Sequence, residues 1–171
     1  MSSNASRPTD DEIEYVINEY TDMLYRVCLT MLRTPSDAED AVQEVVMRYI
    51  EKVPKLSDEE HRKAWLLKVA VNLCKNALRF RAMHPHTGIL EIERNSHEWR
   101  DNELLVLLMN LPLKYKSVMY LHYVEEYKVK EISSIVKISE NAVRKRLQRG
   151  RELLRKEYFG NDEGEKSDER H

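Results

Sequence analysis

Lys68, Asn72, Lys75 and Arg79 recur at i, i+4, i+7 and i+11, a spacing that gathers them into one narrow outward stripe on a helix. Three cations and an amide in a row suit a nucleic-acid strand, with the cations at phosphates and the amide at a base edge. Trp65 stands beside this stripe and could add a stacking face for an unpaired base. A tryptophan at helical spacing fits a core position as readily. A second set lies toward the C-terminus, where Arg144, Gln148, Arg151 and Arg155 share one side of a predicted helix, flanked by Glu140, Asn141 and Lys145. Val143, Leu147, Leu154 and Tyr158 cluster on a separate side, within roughly 60° at about 100° per residue. A helix that buries an apolar stripe and presents arginines can enter a major groove, its first side chains at base edges and its later ones at phosphates. A surface helix with solvated arginines has the same outline. Such faces tend to alternate in sign, however, whereas residues 137–158 hold eight basic and three acidic side chains.

A third set is acidic. Asp37, Asp40 and Glu44 share a helix face, with Glu39 and Gln43 nearby. The helix macrodipole alone accounts for acid near a helix start. A metal site is a second reading, but no ligand spacing such as Glu-x-x-His occurs here. A basic protein surface is a third. The net charge of −2, from 28 basic and 30 acidic residues, hides this segregation. Residues 1–60 hold six basic and fourteen acidic side chains, and residues 61–82 hold six and none, so basic segments sit among acidic ones.

The elements that must position these sets are helical. A chain of 171 residues, 42% apolar and 34% charged, with four Gly and five Pro, has the make-up of a helix-rich globular protein, which excludes disordered and collagen-like classes. The longest apolar run, Leu104 to Met109, falls far short of the roughly 20 residues that span a bilayer, and Met1 to Asp11 has no signal-peptide core. No membrane insertion and a cytoplasmic location are expected. Cys28 and Cys74 lie in apolar helical patterns and read as reduced core residues rather than a disulfide or half a metal site.

Ile13, Val16, Ile17, Tyr20, Leu24, Val27 and Met31 predict a first helix, opened by the capping box Thr9-x-x-Glu12. Pro35 follows as a break. Ser36-x-x-Glu39 predicts the start of a second helix, ended by Pro54, and Ser57-x-x-Glu60 that of a third, running to about Arg81 with a possible break near His61. The His84-Pro85-His86-Thr87-Gly88 cluster is turn chemistry. Helical spacing resumes over about His97 to Asn110, then after Pro112 to about Glu125, and ends in two units, about Val129 to Val136 and Ser139 to Phe159, that have helix-turn-helix spacing. No strand pattern appears. The fold class is therefore all-α, with two small helical domains. Residues 1–82 form the first, 83–103 a linker and the start of the next domain's first helix, 104–159 the second, and 160–171 a polar tail.

Taken together, these segments resemble the extracytoplasmic-function (ECF) sigma factors, the two-domain initiation subunits of bacterial RNA polymerase. Asp37-Ala-Glu-Asp-Ala-Val-Gln-Glu-Val45 is similar to their polymerase-binding helix, and Ala64-Trp-Leu-Leu-Lys-Val-Ala-Val-Asn72 to the helix that reads the −10 element. Leu111-Pro112, Glu131-Ile132, Ala142-Val-Arg-Lys-Arg-Leu-Gln-Arg149 and Leu153-Leu154-Arg155 resemble their −35-reading domain. The resemblance spans about Tyr15 to Tyr158.

It implies a transcription initiation factor without catalytic residues or cofactor. Asp37, Asp40, Gln43 and Glu44 would dock on core polymerase. Asn72 would hold a base flipped from the −10 strand, in a pocket completed around Leu56 and Ser57, with Trp65 beside it and Lys68, Lys75 and Arg79 on the backbone. Glu140, Asn141, Arg144, Lys145, Gln148 and Arg149 would meet the −35 duplex, although the helical wheel places Arg149 toward the side. The implied partners are core RNA polymerase, duplex and single-stranded promoter DNA, and an anti-sigma protein. Asn76, Ser133 and Lys137 depart from the family pattern of an acid, a small residue and Gly, and Lys137 costs about 1 kcal/mol relative to Gly if its φ is positive. Two rival readings are a stand-alone helix-turn-helix regulator with an acidic sensing or dimerising half, and a metal-dependent enzyme using Asp37, Asp40, Glu44 and His61.

Overall fold

The computed structural model describes residues 7–52, 56, 58–84 and 103–160. Among them lie seven helices and no strand: α1 (Asp10–Leu32), α2 (Pro35–Lys52), α3 (Glu59–Met83), α4 (Glu103–Asn110), α5 (Leu113–Tyr123), α6 (Val129–Val136) and α7 (Glu140–Gly160). The chain divides into two compact units, Met1–Ser96 with α1–α3 and His97–His171 with α4–α7. Most of the expected linker, Pro54 and the tail beyond Gly160 lie outside the described residues. So does the part of the His97–Asn110 helix before Glu103.

Local chemistry explains where the helices begin. Thr9 and Glu12 form the expected capping box, the Glu12 N–H donating to the Thr9 hydroxyl at 3.2 Å and the Thr9 N–H to the Glu12 carboxylate at 2.8 Å. Ser36 does not open α2. Proline pre-sets the helical φ and lacks only an N–H the first turn does not use, so Pro35 is the first helical residue. Thr34 precedes it, and its carbonyl accepts from the Ala38 N–H at 3.1 Å. Asp58, not Ser57, caps α3: its carboxylate accepts from the His61 N–H at 2.9 Å, which satisfies a free donor and places negative charge on the helix dipole's positive end. With that cap in place α3 runs unbroken through His61.

In the first unit Val16, Leu24, Val27 and Cys28 of α1 meet Ala38, Val45 and Tyr49 of α2 and Leu66, Leu67, Ala70, Val71 and Cys74 of α3 in a closed core. Ile17, expected on the buried face, is 43% exposed. Cys28 and Cys74 are free and buried, and the hydrogen bond of the Cys74 S–H to the Cys28 sulfur together with burial holds the Cys74 thiol far above its ordinary pKa. The start of α3 is anchored to α1: Glu59 accepts from the Tyr20 hydroxyl and from Arg62 at 2.6 Å, and the Arg62 guanidinium lies 5.6 Å from the Tyr15 ring centre.

In the second unit Leu105, Leu108, Val118, Met119, Leu121, Ile132, Val143 and Leu147 are buried together. The Lys128 N–H donates to Glu131 at 2.8 Å to open α6, and the Ala142 N–H to the Ser139 hydroxyl at 3.2 Å to open α7. Gly150 allows α5 and α7 to close, since a Cβ there would fall 2.7 Å from the Met119 sulfur. The apolar stripe of α7 stops short of the expected length: Leu154 is half-buried and Tyr158 is 60% exposed. Its partner α5, with 11 residues, spans about 16 Å, and cannot cover a 21-residue helix of about 32 Å.

Candidate nucleic-acid interface

On α3 the buried side is Leu66, Leu67, Ala70, Val71 and Cys74, which turns the expected stripe outward. Lys68, Asn72 and Lys75 are half-buried and Arg79 is exposed. Asn72 thus presents a short amide between long cationic side chains, a geometry suited to a base edge with phosphates on either side. Trp65 is neither a free platform nor a core residue: it is half-buried, with an edge-to-face contact to Tyr49 at 6.0 Å. Leu56 is half-buried, and Ser57 lies outside the described residues. Beyond the stripe, Phe80 is 57% exposed and Met83 64%, with the His84 ring stacked on Phe80 at 4.2 Å. Their outward register is legible on a helical wheel, yet apolar identity reads as core by default.

On α7, Asn141, Arg144, Lys145, Gln148 and Arg149 are exposed, Glu140 is half-buried, and Val143, Leu147 and Gly150 face inward. The Arg144 guanidinium is spread between Glu140 at 3.0 Å and Asn141 at 3.2 Å, which holds it over the first turn of the helix. Arg149 donates to Glu152 at 2.8 Å; that bond raises the arginine's pKa and lowers the carboxyl's. Arg149 also feels Tyr115 of α5, in keeping with its sideward place on the wheel. Gln148 reaches Glu152 at 3.4 Å, and Arg151 reaches the Tyr123 hydroxyl at 3.3 Å.

Two of the three departures from pattern meet at the turn before α7, Lys137 within it and Ser133 in the last turn of α6. Lys137 is left-handed, at φ 56° and ψ 51°. Ser133 spans the same turn, its hydroxyl donating to the Ile138 carbonyl at 2.5 Å while its carbonyl accepts from the Ile138 N–H at 3.3 Å.

On α2, Asp40, Gln43 and Glu44 are exposed and adjacent, and Glu44 pairs with Arg48 at 2.8 Å. Asp37 differs. Burial pushes its carboxyl up, but hydrogen bonds from Thr34 and Arg81 and the charge of Arg81 outweigh that and hold it below its ordinary value. Asp37 therefore ties the start of α2 to the end of α3. Met47, one turn beyond Gln43, is 51% exposed and adds an apolar step to this acidic face that the sequence pattern alone does not reveal. Among the described residues no three His, Cys, Asp or Glu side chains gather as metal ligands, and no helix is long and apolar enough to cross a membrane.

Two family models match the chain: "Sigma-70 region 2" over residues 16–83 and "Sigma-70, region 4" over residues 101–154. Among curated proteins, the RNA polymerase sigma factor SigV of Bacillus subtilis (strain 168) is 27% identical, the match covering 81% of this chain and 86% of SigV. The ECF RNA polymerase sigma factor SigW of the same organism is 25% identical, with 86% and 89% covered. Among solved structures, the sigma factor RpoE in complex with the anti-sigma factor NepR from Bartonella quintana superposes with a TM-score of 0.68 at 17% identity, over 88% of this chain and 98% of that one. CnrH in complex with the cytosolic domain of CnrY gives 0.63 at 19%, over 89% and 90%.

Proposed function

The chain belongs to the extracytoplasmic-function (ECF) sigma factors, transcription-initiation subunits of bacterial RNA polymerase, and from that premise we propose how its exposed faces divide the work. Asp40, Gln43 and Glu44 of α2, with Met47 among them and Asp37 bracing from behind, dock on core polymerase. Arg144 and Lys145 of α7 approach base edges of the −35 duplex, helped by Glu140 and Asn141, while Gln148 and Arg149 lie along its backbone. Asn72 of α3 takes a base from the melted −10 strand, with Leu56, Ser57 and Trp65 around the pocket and Lys68, Lys75 and Arg79 on phosphates. Residues 1–82 are thus the polymerase and −10 part, 104–159 the −35 part, 83–103 the connection and 160–171 a polar tail.

Opening needs no covalent step and no cofactor, and the chain is not an enzyme. Stacking and base capture, worth about 1–3 kcal/mol per base, exist only for the unpaired strand, so they shift the duplex-to-open equilibrium in proportion to that difference. The work is cytoplasmic, where polymerase and chromosome are. A protein antagonist of the anti-sigma kind covers one or both DNA-facing surfaces until a signal releases them. The stand-alone regulator reading is weaker, because the acidic half matches a Sigma-70 region rather than a sensor.

The observation that supports this reading is the pair of separate outward ridges, Lys68–Asn72–Arg79 on α3 and Arg144–Lys145–Gln148 on α7, each backed by a buried apolar face. The test is run-off transcription and promoter binding by holoenzyme carrying Asn72→Ala or Arg144→Ala. Arg144→Ala should lose −35 duplex binding; Asn72→Ala should keep it and lose open complex. Equal loss of duplex −35 binding in both refutes the division of labour.

A further inference from the structure

The exposed aromatic pair at the end of α3 has no role in the scheme above. Phe80 and His84 are stacked at 4.2 Å with an interplanar angle of 22°. The His84 ring is held there by its Nδ1, 3.1 Å from the Phe80 carbonyl; because a carbonyl only accepts, Nδ1 carries the hydrogen. One face of Phe80 is thereby backed, and the residue is still 57% exposed. It stands about 12 Å along the helix from Asn72 and about 80° round it, on the flank of exposed Asn76, with exposed Arg79 and Met83 beside it. A rigid, half-covered aromatic ring is an apolar liability on a free surface. It is an asset where a flat π-face arrives with phosphates attached, and residues 61–82, with six basic side chains and no acidic one, attract such a partner.

We propose that Phe80, backed by His84, is a stacking platform for a nucleobase face at the edge of the melted promoter segment, a second subsite on α3 beyond Asn72. The proposal rests on the assignment of α3 to melted DNA. Arg79 holds the neighbouring phosphate and Met83 covers the side of the stacked base. The base is either unpaired or the last of the duplex, since both offer the same face.

The test uses holoenzyme assembled from core polymerase and the full chain, binding three labelled promoter DNAs: a fully paired fragment, a fork whose −10 bases are unpaired, and a single-stranded −10 oligonucleotide. Phe80→Ala should weaken the fork by about 5- to 150-fold, the equivalent of the 1–3 kcal/mol of one base stack, and leave the paired fragment unchanged. Loss on the oligonucleotide as well marks an unpaired base; loss on the fork alone marks the terminal pair. Phe80→Trp should restore binding and Phe80→Leu should not, which separates a π-face from plain apolar cover. Wild-type fork affinity in Phe80→Ala, full rescue by Leu, or a defect in polymerase assembly instead of DNA binding each overturns the proposal. Asn72→Ala distinguishes the two levels: if it too leaves fork binding intact, the assignment of α3 fails; if it weakens the fork and Phe80→Ala does not, the stacking subsite alone fails.

Discussion

The turn between α6 and α7 sets the direction of the ridge proposed for the −35 element, and its backbone is left-handed at a residue with a Cβ. Lys137 is left-handed, at φ 56° and ψ 51°, a region that costs a residue with a Cβ about 1–2 kcal/mol. Glycine has no such cost but loses more freedom on folding, about 0.5–1 kcal/mol. Lys137→Gly should therefore stabilise the second unit by about 0.5–1 kcal/mol, or about 0.2–1 M in urea midpoint for a slope of about 1–3 kcal/mol/M. Ser133→Ala should act in the opposite sense. It removes the 2.5 Å bond to the Ile138 carbonyl across the same turn, worth about 0.5–1.5 kcal/mol. The double variant tests whether the two residues are coupled: if the Ser133 hydroxyl holds the strained turn together, its loss should be smaller once glycine relieves the strain. The assay is urea unfolding of the full chain followed by hydrogen exchange in α6 and α7. A lower midpoint for Lys137→Gly, or strict additivity in the cycle, refutes the reasoning.

Three other perturbations have clear signs. The Asp37 carboxyl has its pKa lowered in the folded chain, so it adds stability above its unfolded value of about 4 and loses it as pH falls through the lower folded one. The side chain is 36% exposed, so Asp37→Asn should cost less than about 1 kcal/mol at neutral pH, and the gap should close on acidification; a gap independent of pH counts against the tie to Arg81. Glu152→Gln should free Arg149 from its 2.8 Å partner, raise −35 affinity and steepen the salt dependence by about one phosphate contact, as read by salt titration of duplex binding. Gly150→Val should cost about 1–3 kcal/mol by overpacking against Met119. Combined with Met119→Ala it should cost less than the sum of the two in denaturant unfolding.

What the sequence makes legible is whatever periodicity and charge control. The ridges on α3 and α7 and the helix-turn-helix follow from 3.6-residue spacing, because a buried apolar face fixes where every other side chain points. Helix starts are less legible where several caps compete: Thr34-Pro35 prevails over Ser36 and Asp58 caps where Ser57 was expected, each settled by a contact one residue away. Burial fails where a helix outruns its partners, as at Tyr158, and where an apolar residue sits on an outward face, as at Met47 and Phe80. Asp37 misleads for a different reason. Its partner Arg81 is 44 positions away on another helix, and no local pattern shows that a carboxylate at a helix start is already taken.

That last case extends to the arginines proposed to face DNA, and it bears on how such a chain would avoid wandering over the genome. Non-specific binding scales with the number of phosphates a protein neutralises. Here Arg144 and Arg149 are each held by a carboxylate of the same helix, and the net charge is −2. A phosphate must displace a carboxylate from each. Exposed pairs of this kind are worth only about 0–1 kcal/mol, so the exchange is nearly balanced: it removes most of the gain from random phosphate contact but little from a contact that also reads a base. Free chain should therefore bind DNA weakly at any sequence. Preference for a promoter should emerge when polymerase holds both proposed ridges against DNA at once, because the second contact would then form at high effective concentration.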